Sequence, residues 1–389
     1  MTAPWWGGAL SATQAEGAAP GSDWAGWEEA GRVPRSGDGN GFATRAAEDL
    51  ALLAAHGLHR VRLSLDWSRL EPAEGRIAPE EVERWLARLD AAASAGVEVW
   101  LGLHHVATPG WFLDEGGFLD DRARGRLWPR FVERCAEAFG DRVAGWFPFD
   151  QPWQWAEAGY RLGVRPPGRR SEEATSDATR ATALAWREAW AVLRGGPPVA
   201  TSLDLPLLRV ADETVTARAE VRFLERSTWG LWVAALRDGV LDVPGRAVEE
   251  VPGLRDAADV VGVTYRGPLA IDGERQRRGW PSDAPRTATG DTAWPAGLGE
   301  VLRRLAEELP GRRLLVARVA IGTPEDSLRA ELLRGLDEEL VAAAADGVPV
   351  EGALYGSVID AYEWEYGFSV PFGLFDRDRN PRPSVEALS

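Results

Sequence analysis

The sequence predicts an α/β protein, a closed (β/α)8 barrel that spans residues 1–389 as one domain. Short apolar runs of β type alternate with amphipathic helical stretches along the whole chain. This alternation predicts a parallel sheet, and eight such runs predict a sheet that closes on itself. The length of 389 residues and the apolar fraction of 45% suit one barrel with insertions.

Eight runs predict the strands, and six longer stretches predict helices between them. The strands are residues 6–10, 59–64, 98–103, 143–149, 199–203, 260–265, 314–319 and 352–357. The helices are residues 43–55, 79–95, 123–139, 177–194, 297–308 and 327–346. Gly57 and Gly96 follow two of these helices and are expected to end them in the left-handed conformation. The polar stretches 31–40 and 273–291 predict loops over one face of the barrel.

The composition excludes several classes of partner. The chain has 44 basic and 60 acidic residues, a net charge of -16, which disfavours nucleic acid and anionic membranes. It has one cysteine, Cys135, and four histidines, so we expect no disulfide, no metal site and no cofactor. Residues 1–17 lack a signal-peptide pattern, and no apolar run approaches about 18 residues. We therefore expect a soluble, cytoplasmic protein; its oligomeric state is left open.

The 19 tryptophans have two interpretations. The flat face of an indole suits the apolar face of a sugar ring, but most of these residues are expected to pack between strands and helices. Chemistry in such a barrel lies where the strands end, at the carboxyl-terminal face. The residues at or after those ends are Gln14, Arg62, His104, His105, Asp150, Gln151, Tyr265, Arg318 and residues 360–364.

Several segments, in order, carry a more specific pattern. They are residues 6–17 (WGGALSATQAEG), 62–69 (RLSLDWSR), 103–105 (LHH) followed by Pro109, 294–298 (WPAGL), 360–364 (DAYEW), 372–376 (FGLFD) and 382–384 (RPS). Over nearly the whole chain this pattern resembles glycoside hydrolase family 1, the β-glucosidase-like TIM barrels that hydrolyse glycosides with retention of configuration.

The resemblance implies roles for six residues. Gln14, His105 and Glu363 would hydrogen-bond sugar hydroxyls, and Trp364 would pack beside them. Tyr265 would stand near the nucleophile and Arg62 would pair with it. The alternative is that these side chains survive only as fold-stabilising polar residues.

The same resemblance implies that both catalytic carboxylates are missing. A retaining glycosidase needs two carboxyl groups about 5–5.5 Å apart. The family's N-E-P motif, which carries the acid/base, reads Asp150-Gln151-Pro152 here, and the nucleophile position of T-E-N-G is Arg318. An amide transfers no proton at neutral pH, and a guanidinium cannot attack an anomeric carbon. Asp150 is expected to point away from the sugar site, because adjacent strand residues face opposite sides.

The altered positions suggest a different pocket. Arg318 is expected close to Arg62, where two unit charges 4 Å apart would repel by about 4 kcal/mol at an effective dielectric of 20. Either a protein carboxylate offsets this charge, with Glu363, Asp150 and Asp66 as candidates, or an anionic ligand does. Gly356 stands where the family carries a tryptophan under the sugar, which predicts an enlarged cavity.

Four functional hypotheses follow. The first is a pseudoenzyme that binds a glycoside or an organic anion without hydrolysis. The second is an enzyme of specialised metabolism that uses the same pocket for non-glycosidic chemistry. The third is a residual β-glucosidase. The fourth is a structural or partner-binding protein whose pocket has decayed, which a pocket filled by side chains would favour.

Overall fold

The structure, a computed structural model, describes residues 3–388, so the ends of the predicted domain lie outside the described range. Eight parallel strands form one sheet, with spatial order β4-β3-β2-β1-β8-β7-β6-β5. They are β1 (Trp5–Leu10), β2 (Arg60–Ser64), β3 (Glu98–Gly102), β4 (Gly145–Phe147), β5 (Leu203–Asp204), β6 (Val260–Tyr265), β7 (Arg313–Val319) and β8 (Val350–Gly356). The predicted TIM barrel is confirmed.

The barrel closes between β4 and the segment that leads into β5. Trp146 of β4 forms a parallel bridge with Val199, and Ala200 bridges to Val260 of β6. Trp146 N–H donates to the carbonyl oxygen of Pro198, and Ala200 N–H donates to the carbonyl oxygen of Trp146. The fifth strand therefore begins near the predicted residue 199, although its regular ladder covers only two residues.

Thirteen α-helices lie around the barrel and over its ends within residues 3–388. They are α1 (Ala12–Glu16), α2 (Asp23–Glu29), α3 (Phe42–Ala55), α4 (Trp67–Leu70), α5 (Pro79–Ser94), α6 (Gly110–Asp114), α7 (Asp121–Phe139), α8 (Pro152–Ala156), α9 (Glu172–Leu193), α10 (Val215–Glu225), α11 (Leu231–Asp238), α12 (Pro295–Glu308) and α13 (Asp326–Ala345). The six predicted helices correspond to α3, α5, α7, α9, α12 and α13.

Local sequence signals account for most helix ends. Gly57 and Gly96 have φ values of 78° and 71°, the left-handed conformation expected for them. Helix α9 begins five residues before the prediction, because Ser171 caps it by accepting a hydrogen bond from Ala174 N–H. The acidic residues Glu172 and Glu173 in its first turn add favourable charge at the positive helix end.

A small sheet beside the barrel was not predicted. It joins residues Leu208–Val210, Leu269–Ile271 and Arg277–Gly279, the last of which lies in a segment predicted to be a loop. Strands of three residues are too short for hydrophobic periodicity to reveal them. Two strands of this sheet follow β5 and β6 along the chain, and helix α10 contacts both of them.

The core supports the packing interpretation of most tryptophans. Eight of them, including Trp67, Trp128 and Trp146, are essentially inaccessible to solvent. Trp67 stacks on Phe131 with ring centroids 4.5 Å apart, and the Cys135 thiol is buried within the same helix α7. Across residues 3–388, no helix is long and apolar enough to cross a bilayer.

Candidate functional site

The polar residues predicted from strand ends meet at the carboxyl-terminal mouth of the barrel. Arg62 on β2 stands opposite Ala9 of β1 and Trp100 of β3. Arg318 on β7 stands opposite Thr264 of β6, directly after a register shift that follows Val316. Such a bulge changes the direction of the next side chain, and both arginine residues are buried, at 4% and 7% exposure.

Asp150 lies inside this mouth, so the expectation that it points away was wrong. Its carboxylate accepts two hydrogen bonds from the Arg62 guanidinium, at 2.9 and 3.2 Å, and a third from the Ser202 hydroxyl. Strand alternation does not apply, because β4 ends at Phe147, three residues earlier. The Arg62 charge and the Ser202 hydrogen bond hold the pKa of Asp150 below its ordinary value, despite burial.

His105 completes this cluster as a neutral ring. Its Nε2 lies 3.1 Å from Asp150 Oδ2, and its ring packs 5.4 Å from the ring of Trp364, as predicted. Burial lowers the pKa of His105 to about 3, against the opposing charge of Asp150. At neutral pH the Nε2–H therefore donates to Asp150, and His105 carries no charge.

Gln151 faces Arg318 across the mouth. Gln151 has a left-handed backbone, with φ 47°, and precedes helix α8. Its Oε1 accepts a hydrogen bond of 3.3 Å from Arg318 Nη1, and its Nε2 donates to Asp204 Oδ1 at 3.1 Å. The amide therefore links a cation to a carboxyl, and this pairing orients it.

Glu363 and Gln14 hydrogen-bond to each other. Gln14 Nε2 donates to Glu363 Oε2 at 2.8 Å, and the Ser357 hydroxyl donates to Glu363 Oε1 at 3.2 Å. Burial raises the pKa of Glu363 to about 7, even though the Arg318 charge acts to lower it. Two of the three residues predicted to bind sugar hydroxyls thus satisfy part of each other's hydrogen-bonding capacity.

The raised pKa of Glu363 predicts a pH-dependent cost to stability. Its ordinary value is 4.5, so the folded state disfavours the carboxylate and loses stability as pH rises from about 4.5 to about 7. Glu363→Gln removes this cost. We expect the variant to be more stable relative to wild type at pH 8 than at pH 5. The difference in unfolding free energy between variant and wild type should increase by about 2–3 kcal/mol between these pH values, measured by urea denaturation.

Glu331→Gln, at an exposed position on α13, is the control. For this variant, the difference from wild type should be the same at both pH values. An equally pH-independent difference for Glu363→Gln would show that Glu363 is ionised at no cost in the folded protein.

Arg318 has no ion pair within 4 Å among residues 3–388. Burial is the main cause that lowers the pKa of Arg318 to about 10, and the positive charge of Arg266 adds to it. Glu363 and Asp150 offset part of its charge from a distance. Asp66 was the third carboxylate expected to offset this charge, and that expectation was wrong. Its carboxylate instead caps helix α4 by accepting a hydrogen bond from Ser68 N–H.

Tyr265 lies on β6 opposite Val319 of β7, one residue from Arg318. Its hydroxyl donates to the backbone oxygen of Trp294, just before α12. Arg266, the next residue, is the one that enters the mouth, where it donates to Gln154 Oε1 at 3.2 Å. Arg266 follows the end of β6, so the rule that selects strand ends could have found it.

Three further polar residues at the mouth were missed by the sequence analysis. Asp204 ends β5 and contacts Gln151, and Ser202 contacts Asp150. Arg165 is buried, forms an ion pair with Glu365 at 2.8 Å and lies 5.6 Å from the Trp364 ring centroid. Arg165 belongs to a loop far from any strand end, so no sequence signal indicated it.

The space in the mouth is unevenly distributed. The innermost cavity, between Gln14, Arg62, His105 and Arg318, measures about 10 Å³, which is room for about one water molecule. The expectation that Gly356 enlarges this cavity was therefore wrong, since Arg318 and the paired polar side chains occupy it. Two cavities open further out, of about 120 and 390 Å³, and both are lined by Arg266.

Comparisons with known proteins agree with this architecture. The family described as Glycosyl hydrolase family 1 matches residues 4–207. The chain is 24% identical to β-glucosidase A of Thermotoga maritima, over 95% of this chain and 91% of that protein. It is 25% identical to a 6-phospho-β-galactosidase of Clostridium acetobutylicum, over 95% and 90%.

Solved structures show the same fold. The family 1 β-glucosidase from Thermotoga maritima superposes with a TM-score of 0.89 at 21% identity, covering 99% of this chain and 96% of that one. A β-glycosidase from Pyrococcus horikoshii gives a TM-score of 0.88 at 25% identity, over 98% and 92%. Since the family match spans more than half of the chain, this protein belongs to glycosyl hydrolase family 1.

Proposed function

We propose that this family member does not hydrolyse glycosides and instead binds an anionic or sugar-bearing small molecule at the barrel mouth. The contact between Arg318 Nη1 and Gln151 Oε1 carries the proposal. These two side chains stand at the positions where the family motifs carry the nucleophile and the acid/base. A guanidinium and an amide provide neither a nucleophile nor a proton donor at neutral pH.

The replacements around Arg62 favour a maintained pocket over a decayed one. The family pairs this arginine with the nucleophilic glutamate, which is Arg318 here. The carboxylate partner of Arg62 is instead Asp150, at the position where the N-E-P motif carries an amide. Loss of one carboxylate is thus matched by gain of another nearby, which keeps the buried Arg62 neutralised.

Two rival hypotheses remain open to test. Relatives named as β-glucosidases favour residual hydrolysis, and Asp204 could act as an acid because burial raises its pKa to about 6 beside Gln151. Decay is favoured by the closed innermost cavity. However, the two outer cavities are open and lined by arginine side chains, which supports binding.

Turnover of nitrophenyl β-glycosides tests the proposal. We expect the wild-type protein to release no nitrophenol above the no-enzyme rate from the β-glucoside, the β-galactoside or the 6-phospho-β-galactoside. The physical reason is that the covalent route needs an attacking carboxylate, and Arg318 occupies its position.

The variants Asp204→Asn and Glu363→Gln are assayed beside the wild-type protein as controls. Turnover that disappears in either variant would contradict the proposal and identify the carboxyl that performs the reaction. Turnover that persists unchanged in both would point to a contaminating glycosidase, which repurification from a second expression host removes.

A further inference from the structure

Three arginine side chains that line the outer cavities, Arg318, Arg266 and Arg286, lack a carboxylate partner within 4 Å across the described part of the chain. Arg318 makes one side-chain hydrogen bond, to Gln151, and Arg266 makes one, to Gln154. By contrast, Arg62 pairs with Asp150 and Arg165 with Glu365 in the same region. Arg286 lines only the larger outer cavity, whereas Arg318 and Arg266 share the smaller one.

The smaller cavity, which Arg318 and Arg266 both line, measures about 120 Å³. Three carboxyl groups also face this cavity. Glu365 is paired with Arg165, and Asp291 accepts a hydrogen bond from Thr289 at 2.8 Å. Glu363 accepts hydrogen bonds from Gln14 and Ser357. Each carboxyl thus has another partner, and the charges of Arg266 and Arg318 repel each other. An oxyanion between them would receive charge-assisted hydrogen bonds from both.

The adjoining cavity defines the rest of the ligand. It measures about 390 Å³, within the range of small-molecule sites, and shares Arg266, Thr289 and Asp291 with the smaller one. One wall is apolar and consists of Trp153, Leu205, Pro206, Leu208, Leu224 and Leu269. The innermost sugar cavity, at about 10 Å³, has no comparable room.

Resting on the proposed non-hydrolytic binding function, we propose that the ligand is an organic acid. Its carboxylate or phosphate head lies between Arg266 and Arg318, and its apolar body lies against Trp153 and the leucine wall of the larger cavity. The site is displaced outward from the sugar position towards the β5–β6 side of the barrel. This placement uses the residues that the family pattern left without a role.

Titration calorimetry with matched acids and neutral analogues tests this assignment. The probes are 4-phenylbutanoate and phenyl phosphate, with 4-phenylbutanamide and benzyl alcohol as neutral counterparts. We expect an acid to bind and its neutral counterpart not to bind. Arg266→Met and Arg318→Met should each weaken the binding of that acid about tenfold or more. Comparing the two acids distinguishes a carboxylate from a phosphate head.

Arg209→Met is the matched control, because Arg209 is near the mouth, pairs with Glu300 and lines neither cavity. It removes the same charge and should leave the affinity within about twofold of wild type. If Arg266→Met and Arg318→Met bind the acid with the affinity of the wild-type protein, the assignment is overturned. It is also overturned if neither 4-phenylbutanoate nor phenyl phosphate binds at millimolar concentration. If a neutral glycoside binds in that case without turnover, the proposed function stands and only the acid site fails.

Discussion

Arg318→Met is expected to raise the free energy of unfolding by about 1–3 kcal/mol, although it removes a residue from the centre of the site. Arg318 is buried and without an ion pair among residues 3–388, and its pKa is lowered to about 10. A folded-state pKa below the ordinary value of 12.5 means that the charged form is disfavoured at every pH below about 10. Methionine fills similar space without that cost. Urea denaturation at pH 7 measures the change.

Arg329→Met is the matched control for this prediction. Arg329 is fully buried as well, but it pairs with Asp326 and donates to the backbone oxygens of Thr323 and Pro371. The same substitution there removes the ion pair with Asp326 and leaves the backbone oxygen of Thr323 without its donor, so stability should fall by about 2–3 kcal/mol. If Arg318→Met also destabilises the protein by several kcal/mol, Arg318 is a structural residue and the binding argument loses its energetic support.

Asp150→Ala is expected to lower the free energy of unfolding by about 3–5 kcal/mol, the largest loss in the site. The substitution leaves the Arg62 guanidinium buried without its carboxylate, and His105 loses its acceptor. Asp150→Asn should lose less, because an amide oxygen still accepts hydrogen bonds from Arg62. Thermal and urea unfolding of the two variants separate the charge from the hydrogen bonds.

Asp346→Ala is the control, since Asp346 pairs with Arg303 on the surface, where the loss should stay below about 1 kcal/mol. The effect of Asp150→Ala should shrink in the Arg318→Met background, because Asp150 also offsets the Arg318 charge. If the changes in unfolding free energy of the two single variants add in the double variant, Asp150 and Arg318 do not interact.

Together the two predictions describe a site with opposed energetics. The Arg62–Asp150 pair stabilises the mouth, whereas the unpaired Arg318 costs stability. A residue that costs stability is retained where function requires it, which is the expected trade-off at binding sites. The same reasoning explains why the organic acid assignment centres on Arg318 and not on Arg62.

The sequence by itself determined the barrel and the family. The eight strand runs and six long helices are local patterns of apolar spacing and glycine conformation, as Gly57 and Gly96 illustrate. The identities of Gln151 and Arg318 are equally readable, because family segments before and after each of them occur in order along the chain. Such signals lie within a few residues of one another and need no knowledge of distant contacts.

Only the tertiary structure decided which of these side chains face one another. Asp150 turns towards Arg62, 88 positions earlier in the chain, because the backbone leaves strand geometry before it. The innermost cavity is closed because Arg318 and the Gln14–Glu363 pair occupy it, although Gly356 suggested more space. Charge pairing and side-chain packing across the barrel set these outcomes, and both depend on distances that no local pattern encodes.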